Sequence, residues 1–448
     1  MIYVSAASLE RVKDMFHYLH VFMEVLCTFN RGWTAVDDFI ILLRRMKRKG
    51  LTSDLRTLYL MIPYCRDVFR GKGERDLSYR LIYAFYQVFP ILAIKAIHLL
   101  FRVREGLPMV GSWCDIKYFC VFIERNSPLG AKDPLIAIMA SIANRNIDVS
   151  AKWIPRESHH PELFSVFARD FTKSHKGILS SVKKGLYRKR VSSGPSGPSS
   201  IGFSYWFMGK YVQEAVRLGT PTCEVLESRW RRLLKTFPHY KTHGLPIVDL
   251  DINIPDDVLF HSIGFACLIA EKMGLKRIML AGVVPIWIDV SRCDGFVGMV
   301  RVLWSHCEGR GVSRLGDAID LVERGFEFIF DRSLIVFIFS ERFSFDRHSI
   351  LSGKCIPVFW NLGIPDDLYM DSENNFIYMS GYASGLLMPF FDEICVDGFY
   401  KYVLEGYCEW SEYFDLFVSN ITGFVSTSDI EDNQGLLETL NNPSLVQI

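Results

Sequence analysis

From Ser8 to about Lys173 the apolar residues recur mostly at helical spacing, first as Met15, Leu19, Phe22, Met23 and Leu26, then as Phe39, Leu42, Leu43 and Met46. Breakers punctuate this pattern at Gly32, Gly50, Pro63, Gly71, Gly73, Pro90, Gly106, Pro108, Pro128 and Pro134. Short amphipathic helices joined by such turns, with little strand signal, predict stacked antiparallel helix pairs of the α-solenoid kind, although no exact internal repeat is present. A further helical segment, Ser204 to Thr236, is rich in Trp, Arg and Leu and is expected to complete the helical half. After Gly244 the period changes. Short apolar runs predict strands over Leu245 to Leu250, Arg277 to Val284, Leu334 to Phe339, Ile356 to Trp360 and Phe376 to Met379. Helices are expected between them over Val258 to Met273, Phe296 to Ser305 and Leu315 to Arg324, with another after Gly385. Such alternation predicts a parallel sheet covered on both faces, in which ligands sit beyond the carboxyl ends of the strands.

The chain of 448 residues is long enough for two cores, and 49% hydrophobic against 23% charged residues describes a folded globular protein. The expected organisation is a helical domain over 1–240, an α/β domain over 241–425 and a disordered tail over 426–448. With 51 basic and 50 acidic residues the net charge is +1, so any attraction to nucleic acid must be local. It is local in one place. Residues 171–190 carry Lys173, Lys176, Lys183, Lys184, Arg188, Lys189 and Arg190 with no acidic residue. The VSSGPSGPSSIG run that follows favours a flexible loop over 191–203.

Eleven scattered cysteines without a CxxC pair read as reduced thiols, hence a cytoplasmic or nuclear protein, and neither a signal peptide nor a membrane-spanning run is expected. There is no GxxxxGK[ST] loop, no GxSxG elbow and no HExxH pair. Gly71-Lys72-Gly73 lies between helices and reads as a turn. His159-His160, before Pro161, reads as a solvated pair.

Six phrases carry a resemblance: CRDVFRGKGERDLSY (Cys65 to Tyr79), GLPMVGSWCDIKYF (Gly106 to Phe119), AKWIPRES (Ala151 to Ser158), YRKR (Tyr187 to Arg190), PVFWNLG (Pro357 to Gly363) and YMSGYASGLL (Tyr378 to Leu387). Together they resemble an uncharacterised family of plants and giant DNA viruses, itself similar to the Ro autoantigen (TROVE) architecture. The resemblance implies HEAT-like helical repeats followed by a von Willebrand factor A-like, Rossmann-like domain. In A-type domains a divalent cation is held by a DxSxS motif, a hydroxyl on a second loop and a late Asp. The corresponding positions here are Asp249, Asp251 and Asn253, then Ser313, then Glu341. All five carry oxygen and suit Mg²⁺ or Ca²⁺. Extra carboxylates would neutralise the ion and reduce its appetite for an external carboxylate; the same groups also read as strand-end caps and loop carboxylates. An EF-hand is excluded because Ile254 and Phe260 stand where Gly and Glu are required.

Ro-type proteins bind small structured RNAs and RNA ends with their helical ring, so the resemblance implies an RNA-binding, non-enzymatic protein. The basic stretch with Tyr187 offers phosphate contacts and a stacking face, and Lys152, Trp153 and Arg156 extend it. The same charges read equally as a solvated helix face, and Trp153 as a helix anchor. Two alternatives stand beside RNA binding. One is a protein-interaction scaffold acting through the A-type domain. The other is a haloacid-dehalogenase-like phosphatase with Asp249 as nucleophile, Asp251 as acid/base and Asp317 with Asp320 as a downstream acidic pair.

Overall fold

The computed structural model describes residues 34–50, 52–67, 71–104, 107–108, 110–170, 176–184, 208–217, 223–237, 243–307, 310–326, 334–340, 355–362, 377–381, 386–387, 390 and 406–424. The apolar pattern around Met15 to Leu26, the loop 191–203 and the tail 426–448 lie outside them, as does most of the helix expected after Gly385.

The N-terminal half is built of helices α1 (Thr34–Lys49), α2 (Thr52–Arg66), α3 (Arg75–Val88), α4 (Pro90–Leu100), α5 (Asp115–Asn126), α6 (Pro134–Arg145), α7 (Pro161–Asp170) and α8 (Lys176–Lys183). The start of α6 shows ordinary capping chemistry, whereas the N-cap residues of α3, α4 and α5 make no side-chain cap bond. Asp133 accepts the Leu135 N–H and Pro134 stands at the first helical position of α6, where its missing N–H removes a donor that no helical carbonyl would have met. Helix α1 packs on α2, α2 on α3, α3 on α4, α5 on α6 and α6 on α7, around Phe39, Tyr59, Phe85, Ile97 and Phe119, all essentially without solvent contact. A last helix, α14 (Cys408–Phe424), returns to this half and packs on α2 and α4. There Trp410 and Phe414 meet Tyr59 at 5.6 and 5.8 Å between ring centroids, and Phe417 meets Phe89 edge-on at 6.4 Å. Rings at these separations gain from quadrupole geometry as well as burial.

Helices α9 (Met208–Arg217) and α10 (Cys223–Thr236) face the other way, onto α11 (Asp256–Lys272) and α12 (Gly295–Ser305) of the α/β half. Trp230 of α10 stacks on Phe296 at 4.2 Å and donates its indole N–H to Glu271 at 2.6 Å. Glu227 accepts the Val297 N–H at 2.8 Å, capping the first turn of α12 from a neighbouring helix.

The sheet has six strands, β1 (His243–Asp249), β2 (Arg277–Ala281), β3 (Ile286–Asp289), β4 (Leu334–Phe339), β5 (Cys355–Asn361) and β6 (Ile377–Ser380), in the spatial order β3-β2-β1-β4-β5-β6. Five run parallel; β3 pairs antiparallel with β2. The all-parallel sheet expected from the alternation is therefore corrected to a mostly parallel one with an antiparallel edge. The expected strand over Arg277 to Val284 ends at Ala281, and Val283 and Val284 form an exposed turn before Pro285. β4 is buried at every position, as an interior parallel strand must be when helices cover both faces. Helix α11 joins β1 to β2, whereas α13 (Leu315–Phe326) precedes the crossing from β3 to β4 in the opposite direction. Both helices pack on β1 and β2. Among the described residues no helix is long and apolar enough to cross a membrane.

Candidate functional site

Register sets the first candidate site. Asp249, the last residue of β1, lies opposite Ala281 of β2, and Val248 lies opposite Phe339 of β4, so the first residues after three adjacent strands meet at one edge. Asp249 Oδ1 accepts the Asp251 N–H at 3.1 Å and Oδ2 accepts the Ser340 hydroxyl at 2.6 Å. Asp251 Oδ1 accepts both the Asn253 N–H at 2.9 Å and its side-chain amide at 2.7 Å, and Oδ2 accepts the Ser313 N–H at 3.2 Å. The Ser313 hydroxyl donates to the Ala281 carbonyl at 2.8 Å and lies beside the Asp249 carboxylate. Two backbone bonds pull the third loop in, Ile252 N–H to Gly311 O at 2.9 Å and Arg314 N–H to Gly282 O at 3.0 Å.

Four of the five positions named from the A-type resemblance, Asp249, Asp251, Asn253 and Ser313, are thus brought together; Glu341 lies outside the described residues. Ser340 was missed, although a hydroxyl directly after a buried strand was a legible signal. Burial raises the Asp249 carboxyl above its ordinary range, opposed by the adjacent Ser313 hydroxyl and by the bonds from the Ser340 hydroxyl and the Asp251 N–H, and reinforced by the Asp251 charge.

A hard divalent cation needs six or more oxygen lone pairs converging at roughly 2.0–2.6 Å. The four described positions do not fit that demand. Asp251 accepts three N–H bonds, each Asp249 oxygen already accepts a donor, Ser313 aims its proton at Ala281, and Asn253 turns its amide N–H₂ inward. Around this cluster stand four exposed aliphatic side chains on the same three loops, Ile252, Val283, Val284 and Val312, the last 75% exposed. For phosphoryl transfer, Asp249 is only 4% exposed, and Asp317 stands in the first turn of α13 with Arg314 at 3.6 Å.

The second candidate is the basic face. Lys173, Tyr187, Arg188, Lys189 and Arg190 lie outside the described residues, and Lys176 opens α8. Helix α8 packs on the short turn Ala151–Trp153. Lys183 pairs with Glu157 at 3.3 Å and lies 5.3 Å over the Phe164 ring, while Lys152 lies 5.5 Å from the Trp153 ring. Lys184 and Arg156 are exposed. Trp153 is half-buried against the core, as the anchor alternative has it.

Two smaller expectations are settled by hydrogen bonds. The backbone N–H groups of Gly71, Lys72, Gly73 and Glu74 donate to Asp67, Tyr64, Asp67 and Cys65 carbonyls at 2.6–3.2 Å, so this turn has no free N–H cradle for a phosphate. His160 is not solvated as expected: its Nδ1 lies 2.8 Å from Glu124 of α5.

Two charged residues of the phrases that carry the resemblance, Arg66 and Asp115, form a buried pair. Arg66 contacts Asp115 through both Nε and a terminal nitrogen at 2.9 Å, and Asp115 also accepts the Tyr79 hydroxyl at 2.5 Å and the Ser112 N–H at 2.7 Å. No family model and no curated protein matches this chain.

Proposed function

We propose that this is a non-enzymatic RNA-binding protein of Ro-like architecture that uses the basic face of its helical half. The observation that carries the reading is the seating of α8 on the Ala151–Trp153 turn. That contact, with the Lys183–Glu157 pair, brings the end of α8 beside the 151–157 segment, so basic residues of two segments separate in the chain lie near one another. Cations gathered from two segments make phosphate contacts along a strand, and half-buried Trp153 adds an aromatic edge between them. The order of a helical half followed by an α/β half agrees with the TROVE-like resemblance, in which the second half is a von Willebrand factor A-like domain and the first consists of HEAT-like repeats.

The test is the affinity of the full chain for a labelled single-stranded RNA at 50 and 200 mM salt. Four phosphate contacts give a slope of about −2.8 in log K against log salt, a loss of roughly 50-fold over that range. Replacing Lys152, Arg156, Lys183 and Lys184 with Gln is expected to weaken binding and to flatten the slope. Binding that ignores salt, or survives the four substitutions unchanged, would refute the proposal.

A second reading, a protein-interaction scaffold, is favoured by the exposed Ile252, Val283, Val284 and Val312 at the carboxyl end of the sheet. It predicts that Val284→Ser with Val312→Ser abolishes partner capture while RNA affinity is unchanged.

A further inference from the structure

The A-type resemblance implies a cation at the end of β1, and the residues there are arranged otherwise. We propose that Asp249 and Asp251 are metal-independent staples that take the place of an ion, Asp249 tying the loop after β1 to the end of β4 and Asp251 tying it to the loop before α13. The geometry is complete without a cation. Asp251 accepts three N–H bonds, two from Asn253 within its own turn and one from Ser313 across to the loop before α13. Asp249 accepts one N–H from its own loop and one hydroxyl from Ser340 after β4. Ser313 closes the triangle by donating to Ala281 at the end of β2. Both carboxylates are buried, at 4% and 6% exposure, and each oxygen carries at least one donor. The Asn253 side chain presents its N–H₂ to Asp251, where a ligating amide would offer its oxygen. A cation placed there would meet a donor.

The staple and the ion site differ in what each side chain contributes. In a staple, the Ser313 N–H matters more than its hydroxyl; in an ion site the hydroxyl is a ligand. Asp251→Asn puts N–H₂ where an N–H donor already points, whichever way the amide is turned, and leaves one bond unmade in a buried place.

The experiment uses the full chain, stripped with EDTA and desalted, melted alone and with 5 mM Mg²⁺, Ca²⁺ or Mn²⁺, and titrated with each ion by calorimetry. The expected result is a melting shift within about 1 °C for every ion, since only a ligand that binds the folded state raises the midpoint, and no heat of binding. Asp251→Asn is expected to lower the midpoint by several degrees, equally with and without cation. Ser313→Ala, which keeps the N–H, lowers it much less. A rise of about 3 °C or more with any ion, lost in Asp249→Asn, overturns the proposal. So does saturable binding of one equivalent of ion, or a loss in Ser313→Ala as large as in Asp251→Asn. If Asp251→Asn does not fold, the melting and calorimetry of the unaltered chain still decide.

Discussion

Arg66 and Asp115 are almost fully buried, yet neither is short of partners. Between them they bring together α2, α3 and α5 through Tyr79 and the Ser112 N–H. Burial by itself would lower the Arg66 pKa, but the adjacent Asp115, with Tyr79 and Cys114 nearby, raises it on balance, so this guanidinium stays charged. Glu74 has the opposite outcome. It sits 3.4 Å from Lys72 with its side chain 12% exposed, and burial outweighs the Lys72 charge, pushing its carboxyl up to about 7. A carboxyl that takes up protons more readily folded than unfolded stabilises the fold below its unfolded value, and that contribution disappears as the pH rises through about 7. The loss is on the order of 3 kcal/mol. Glu74→Gln, which mimics the protonated form, is expected to raise the urea midpoint at pH 8, leave it nearly unchanged at pH 4.5 and flatten the slope between. A variant weaker than the parent at pH 8 would show that the Lys72 attraction is the larger effect.

At the scale of elements, α9 and α11 approach so closely that neither has room for a side chain at the crossing. A Cβ on Gly209 would lie 2.5–2.9 Å from the His261 ring, and Gly264 faces Met208 in the same way. Gly209→Ala is therefore expected to cost about 1–3 kcal/mol in chemical denaturation, despite the better helix propensity of Ala. No loss would mean that the ring moves aside. The central strands were legible because β1 and β4 are unbroken apolar runs between breakers, and buried parallel strands need no alternation. The antiparallel β3 was missed. The strand before it was expected to run from Arg277 to Val284, although Gly282 and Pro285 flank Val283 and Val284, which form an exposed turn. Asp249, Asp251, Asn253 and Ser313 were named from the A-type resemblance, whose ligand positions fall just beyond strand ends, where such sheets place their chemistry. Their hydrogen-bonding state was not legible, because it depends on where Ser340 and the Ala281 carbonyl arrive in space. Residues Arg66 and Asp115 were noticed only as part of a resemblance; their partnership spans three helices and leaves no periodic trace.

At the scale of the whole molecule, the two halves are joined by more than chain continuity. Tyr407, just before α14, donates its hydroxyl to Asp67 at 3.2 Å. Gly381, at the end of β6 with φ +125, lies against the backbone of Lys72, and its carbonyl accepts the Trp360 indole N–H at 2.8 Å. A Cβ there would sit 3.4 Å from the Lys72 carbonyl, an ordinary contact, so it is the positive φ that calls for glycine. With a net charge of +1 the molecule offers no general field for a polyanion, and RNA affinity has to arise where basic residues gather. The most direct measurement is ultraviolet cross-linking of bound single-stranded RNA to the full chain at 50 mM salt, followed by peptide mapping. The account predicts adducts in the peptides spanning 151–156 and 176–184. Adducts confined to the loops around Asp249, Val284 and Val312, or no RNA retained at that salt, would contradict it.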